Sequence, residues 1–505
     1  MRGKGFFVVL SAVAGMAVAG TVNAQTVAPV KTPAVAAKPA LAAAVPPAPS
    51  KLPPGPCASV EPLIAAGIVA SDDFDLHHAD PVYTAGLDFG RAVERAPACA
   101  TAWLRKAEFE IQQQDFDKAR ADADAALTRL PKRSIAAAEA YAVRGQAEFG
   151  GVYASPDPDT AKAAAAVADF TQTMALGLID GQILSERAEA YFALKDSAHA
   201  MADLDQAIAL APNSINLIME RGHVHLIAHQ YDAAIADFAL VRQRAGDDYP
   251  QRDFAYVAGA LAFEGKGDRA GAIALLSQGV AAHPGSSLLL EQRAETYMRG
   301  GDFDRAIADL TVIIAKDDFA PDAYIQRARA YTGKHDVPAA LADIDAALKL
   351  NPNEGMAYVL RGQIDEHQGD VAAAIADYDQ GSKTFTSDGA ILAANAACWI
   401  RATHNIELDK ALAACNAALE HAPDYTAALD SRGFVHLRRG EYAAAVTDYT
   451  VALKRNPKLA SSLFGRALAE QKLGQTDAAK ADFVAARAAD PGIDAEFKAY
   501  GVTAE

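Results

Sequence analysis

Positive charge is the scarcer sign in this chain of 505 residues. Its 47 lysines and arginines face 64 aspartates and glutamates, 47 − 64 = −17. A surface of that sign repels phosphate backbones, which sets nucleic acid aside as a partner. Motifs that carry chemistry are missing too. There is no phosphate-binding loop, no His-Glu-x-x-His and no strand to hold a nucleophile elbow. Gly265, Gly267 and Gly271 have the wrong spacing for a dinucleotide loop. Neither an enzyme nor a cofactor is expected. Beyond residue 24 no run is apolar for long enough to cross a bilayer. Glycine and proline are not enriched overall, and hydrophobic content is that of a folded protein.

What is present begins with an export signal. Arg2 and Lys4 precede an apolar stretch from Phe6 to Gly20, and Val22-Asn23-Ala24 offers small residues for cleavage before Gln25. About fifteen apolar residues are too few for a comfortable membrane span, so residues 1–24 are read as cleaved. No cysteine follows the stretch, which disfavours a lipoprotein. A periplasmic or secreted location follows as an expectation. Residues 25–56 hold nine prolines in 32 residues and no acid, a composition that suits an extended, disordered linker.

From Cys57 onward a beat of 34 residues appears. Pro97 and Pro131 are one period apart, as are Pro423, Pro457 and Pro491. Aspartates keep the same step: Asp169, Asp203, Asp237, then Asp309, Asp343, Asp377, then Asp448 and Asp482. Within Asp322 to Pro352, apolar residues fall three and four apart in two segments, the mark of two amphipathic helices. Proline after the second helix stops it, having no amide hydrogen to continue the ladder. A small residue sits midway along each first helix, for example Ala188, Gly222, Ala328, Gly362 and Gly433. Another opens each second helix, for example Ala200, Ala234, Ala340 and Ala445. Such residues let two helix backbones approach closely.

In these columns the chain resembles the tetratricopeptide repeat family. The resemblance runs from about Asp88 to Pro491 and implies an all-α, right-handed superhelical solenoid whose first helices line a concave groove. The expected organisation is a cap and degenerate half repeat over 57–99, eleven repeats over 100–491 and a capping segment over 492–505. A repeat array of this kind escapes the size limit of a single core, because each unit packs on its neighbours.

Arginine precedes the small residue of most first helices, and an aspartate follows sixteen residues later, as in Arg187/Asp203, Arg327/Asp343 and Arg466/Asp482. Two units lose both members together, with Gly259 and Leu275, and with Cys398 and Ala414. Joint loss suggests that the two side chains meet across the hairpin. By family analogy the residue after the small one faces the groove. That column and its flanks give Glu186, Glu189, His223, Glu291, Glu295, Arg329, Ile400, Phe434, Phe464 and Leu468 as partner-binding candidates. The acidic members suit a basic or amide-rich partner, and Phe434, Phe464 and Leu468 read as an exposed docking floor. His223, His225 and His229 are the one tempting metal cluster, but no third ligand is placed with them, and no metal is expected.

The function expected is therefore a scaffold that docks a protein or peptide partner. A carbohydrate-handling accessory in envelope or exopolysaccharide assembly is the alternative, and oligomeric state is left open. Four cysteines allow three pairings. Cys398 takes an arginine's place and Cys415 follows an aspartate's place by one. A Cys398–Cys415 bond is expected, with Cys57–Cys99 as its companion.

Overall fold

The computed structural model describes residues 57–72, 80–154, 158–246, 252–316, 320–384 and 387–504. The expected signal segment 1–24 and the expected linker 25–56 lie outside them. The described residues form 25 helices and no strand. They divide into two compact units, Met1–Lys266 and Gly267–Glu505.

The first unit holds five helical hairpins. They are Glu61–Asp72 with Asp80–Arg95, Ala100–Gln112 with Phe116–Leu127, Ile135–Gly150 with Thr160–Ala175, Gly181–Ala193 with Ser197–Leu210, and Ile215–Ile227 with Tyr231–Arg244. Helix Arg252–Gly265 follows them. The second unit opens on helix Arg269–Ala282 and continues with six hairpins. These are Ser287–Arg299 with Phe303–Lys316, Pro321–Gly333 with Val337–Leu350, Gly355–Gln368 with Val371–Gly381, Ser387–His404 with Leu408–His421, Thr426–Arg439 with Tyr442–Arg455, and Ala460–Lys472 with Thr476–Ala489. A last helix, Ile493–Ala499, ends the unit.

Eight of the eleven hairpins share one turn recipe. The residue two before the second helix is left-handed: glycine at 301, 369, 440 and 474, and Gln114, Lys195, His229 and His335 elsewhere. The residue that follows caps the second helix. Asp115, Asp196, Asp336 and Asp370 each accept a hydrogen bond from a first-turn amide, a contact contributing about 1 kcal/mol. The amide of the capping residue bonds back five residues, as from Asp115 to Glu110 at 2.9 Å.

The arginine–aspartate columns do meet. Arg187, Arg221, Arg293, Arg327, Arg361, Arg432 and Arg466 each grip their aspartate with two parallel bonds of 2.6–3.0 Å. Arg144 does the same to Asp169 across the longer loop. The sequence did not reveal a third bond. The remaining guanidinium nitrogen donates to the preceding hairpin or helix: Arg187 to Thr171, Arg293 to Ser277, Arg327 to Thr311, Arg432 to Asn416 and Arg466 to Thr450. Each arginine thus joins three helices. Where no arginine follows, this acceptor column turns apolar, as at Ala239 before Gly259 and Val484 before the last helix.

Small residues face large ones across each hairpin. A Cβ added to Gly222 would lie 2.8 Å from the Phe238 ring, and one added to Gly433 would lie 2.8 Å from Tyr449. At Gly362 it would stand 2.6 Å from the Tyr378 ring, whose hydroxyl is held by Glu366 at 3.0 Å. Gly362→Ala is therefore expected to lower stability by about 1–2 kcal/mol. Overpacking there outweighs the helix propensity gained, up to ~1 kcal/mol. A thermal melt with a higher midpoint than the parent would contradict this.

The hairpin that carries Cys398 and Cys415 departs from the recipe in its own way. Between Ser387–His404 and Leu408–His421 both Asn405 and Glu407 are left-handed, so its turn holds one extra residue. The sulfurs of Cys398 and Cys415 are bonded, with Cα atoms 5.4 Å apart. Because small positions face the bulky residue of the second helix, Cys398 stands in the small column. Ala397 holds the arginine's place and Trp399 holds the groove column. Ile400 is fully buried, so its assignment to the groove is corrected to Trp399. Asp379, in the acceptor column, is served instead by Arg401, itself 1% exposed, at 2.6 and 2.9 Å. The second cysteine pair, Cys57–Cys99, ties the start of the described chain to the head of helix Ala100–Gln112.

Candidate functional site

First helices of the first unit bring three glutamates together. Helix Gly181–Ala193 supplies Glu186 and Glu189, and helix Ile215–Ile227 supplies Glu220. Gln146, from helix Ile135–Gly150, donates its amide to both Glu186 oxygens at 3.0 and 3.1 Å. Gln182 adds a bond to the same carboxylate at 2.9 Å. Ser185 donates to Glu220 at 2.6 Å. Among the described residues no lysine or arginine forms an ion pair with any of the three, and all three are partly buried.

That setting raises their proton affinity. Burial first, then the charges of Glu220 and Glu186, push Glu189 up to about 8. Burial and the Glu186 charge lift Glu220 to about 7 against the lowering effect of its Ser185 bond. Burial also raises Glu186, while its two amide bonds oppose the rise. The cluster is a desolvated acidic patch that a cation would relieve.

Glu220 lies 34 residues after Glu186, so its membership could have been read from the period. The other sequence candidates fall elsewhere. His223 is buried against Phe238, with ring centroids 5.2 Å apart. Burial lowers it to about 4 and keeps it neutral. His225 Nδ1 lies 2.7 Å from Gln230 Oε1, and His229 Nδ1 lies 2.7 Å from the Tyr231 hydroxyl. Among the described residues no group of three or more His, Cys, Asp or Glu side chains is set to hold a metal ion. Glu291, Glu295 and Arg329 belong to the second unit. There Glu295 accepts from Gln292 at 3.2 Å and lies 3.9 Å from Arg299. Arg329 is exposed and donates to Gln326 at 3.0 Å.

Phe434, Phe464 and Leu468 are not an open floor. Their exposures are 1%, 1% and 4%. Helix Ile493–Ala499 and the residues after it lie over them. Phe497 stands 4.6 Å from Phe464 and 5.5 Å from Phe434, centroid to centroid. Tyr500 stands 5.8 Å from Phe434 and 5.5 Å from Trp399. Residues 492–505 were expected to cap the array, and Ile493, Phe497 and Tyr500 form the apolar face that does so. How far back along the array that face reaches was not legible.

Paired helices, a small residue set against a bulky one and a shared turn recipe define a helical-hairpin repeat protein. A family model described as tetratricopeptide repeat matches residues 87–134, 257–323 and 325–385. A second model of the same description matches residues 182–214. The chain is a tetratricopeptide repeat protein. No curated protein matches it. Among solved structures, similarity extends to YrrB, titled a TPR protein with an unusual peptide-binding site. It is 20% identical, over 40% of this chain and 95% of that one, with a TM-score of 0.33. PilW, titled a type IV pilus biogenesis factor, is 21% identical over 41% and 94%, TM-score 0.36. A tetratricopeptide repeat protein from Parabacteroides merdae is 18% identical over 52% and 96%, TM-score 0.37. Likeness at this level carries no functional argument.

Proposed function

We propose that this protein is an exported interaction scaffold whose first unit docks a peptide or protein segment rich in basic or amide side chains. The observation that carries this reading is the cluster of Glu186, Glu189 and Glu220. Three helices converge on carboxylates that lack a cation and whose proton affinity burial raises. A lysine or arginine from a partner would supply the missing charge and charge-assisted hydrogen bonds. Binding, not catalysis, is what the patch is equipped for. Export is supported by the basic and apolar start of the chain and by two bonded cysteine pairs, which suit an oxidising compartment. Among the described residues no helix is long and apolar enough to cross a membrane.

An array of synthetic peptides, basic, amide-rich and acidic, tests the reading against the parent protein and an E186Q/E189Q/E220Q variant. Basic peptides are expected to bind the parent, more tightly from pH 6 to pH 8.5 as Glu189 and Glu220 give up protons, and more weakly as salt rises. The glutamine variant should lose both dependences. Its stability should respond as well. Between the ordinary glutamate value of 4.5 and about 8 the folded Glu189 holds more protons than the unfolded one. Its contribution is therefore most favourable below that ordinary value and is lost as pH rises through the folded value. The melting midpoint of the parent should fall more from pH 5 to 8 than that of E189Q. Selection of acidic peptides, or equal binding by the triple variant, would sink the proposal.

A further inference from the structure

We propose that the face formed by Trp399, Phe434, Phe464 and Leu468 is a peptide-docking site, filled in this chain by its own C-terminal segment. The partner it takes is a short helical segment with two aromatic side chains three positions apart, as Phe497 and Tyr500 are. It belongs to the second unit and the acidic patch to the first, and neither proposal depends on the other.

The reach of the segment is the first argument. Elsewhere a first helix packs on its hairpin partner, on the second helix before it and on the first helices beside it. A segment that merely continued the stack would meet the last hairpin. Helix Ile493–Ala499 does meet both helices of the last hairpin, but its rings and that of Tyr500 reach further, against three successive first helices: Phe464 in Ala460–Lys472, Phe434 in Thr426–Arg439 and Trp399 in Ser387–His404. That is the path of a ligand lying across the units. The contacts at Phe434–Phe497 and Trp399–Tyr500 are edge-on, both at 86°, an arrangement aromatic pairs favour.

The second argument is the polar contact. Arg438 lies over the Phe434 ring at 5.2 Å. Its guanidinium donates to the backbone carbonyls of Ala402 and Thr403, both at 3.2 Å, and to that of Tyr500. It reads main chain, and any peptide laid along the same path presents a carbonyl there. Specificity is left to the two rings.

The third argument is how the segment is held. Its near end is fixed by Arg487 to Asp494 at 2.6 and 2.7 Å, a pair about half exposed on each side. Such a pair is weak and screened by salt. The rest depends on the two rings and the Arg438 bond to the Tyr500 carbonyl, with Ile493 and Val502 packed beside them. A segment tethered this way competes with a partner at an effective concentration on the order of millimolar. It sets a threshold that a weak partner fails to cross.

The test uses a fluorescent peptide of residues 490–505 as the probe. It is added to the parent, to a chain ending at Pro491, and to the full-length F497A/Y500A variant. The shortened chain is expected to bind the probe about 100-fold more tightly than the parent, in which the tethered copy competes. The full-length variant should also bind more tightly than the parent, and a probe carrying both alanines should not bind. If the shortened chain loses its helical circular dichroism, the full-length variant decides. The proposal is overturned if neither variant gains affinity for the probe, or if the alanine probe binds equally well. It is also overturned if the shortened chain gains its affinity only as a dimer by light scattering, since the face would then serve a second copy.

Discussion

Arg327→Ala is expected to cost about 3 kcal/mol and to strip amide protection from three helices at once, Phe303–Lys316, Pro321–Gly333 and Val337–Leu350. Arg327 holds Asp343 through two bonds at 2.7 and 2.8 Å and Thr311 through a third at 2.9 Å. It also lies over the Tyr324 and Tyr331 rings. The carboxylate it leaves behind sits on a residue only 5% exposed, and an unpaired charge at such depth is what makes the loss large. Arg327→Lys keeps the charge but not the planar fork, so it should lose the bond to Thr311 and about half the stability. R327A/D343N should recover part of the loss, because the stranded charge has gone. Hydrogen exchange decides the matter locally, which suits a repeat array better than a global midpoint. Unchanged protection in Phe303–Lys316 would show that the third bond does not couple neighbouring hairpins.

Opening the Cys398–Cys415 bond should be of similar size, about 3 kcal/mol for a loop of its length. Both cysteines are fully buried, and the bond stands where other hairpins set glycine or alanine against a ring or a branched chain. C398A/C415A should therefore leave a cavity as well as a free loop. C398A/C415L rebuilds the ordinary contact and should recover at least half of the loss while becoming indifferent to reductant. A parent protein whose melt is unaffected by reductant would refute this account. So would free thiols at both positions in periplasm-purified material.

The period of 34 made the hairpins and the arginine–aspartate pairs legible, because both members of a pair recur in register and vanish together. The acceptor column was harder to see. Thr171, Ser277, Thr311, Asn416 and Thr450 share only the ability to accept a hydrogen bond, so as letters they do not look like a column. The cysteine pairing was read correctly on a register that was off by one. A single residue added at the Asn405–Glu407 turn moves every later position, and a left-handed asparagine or glutamate has no signature of its own. That slip placed Ile400 in the groove where Trp399 stands. Among the site residues, Glu186 and Glu189 lie three apart on helix Gly181–Ala193, and it is Glu220 that the period would have added. The burial of Phe434 could not be foreseen, since it depends on a segment more than sixty residues away in sequence.

The third bond of each arginine also has a direction. Arg327 looks back to Thr311, Arg432 to Asn416 and Arg466 to Thr450, and none of these arginines looks forward. A chain that emerges from its amino end, at the ribosome or across a membrane, offers each acceptor before the arginine that needs it. Every new hairpin of the second unit thus arrives to a seat already built, and the array lengthens by accretion instead of waiting for its last residue. The C-terminal segment alone breaks the order. It follows the last of these hairpins and reaches back past two of them, so closing over Trp399 must wait until both have been made.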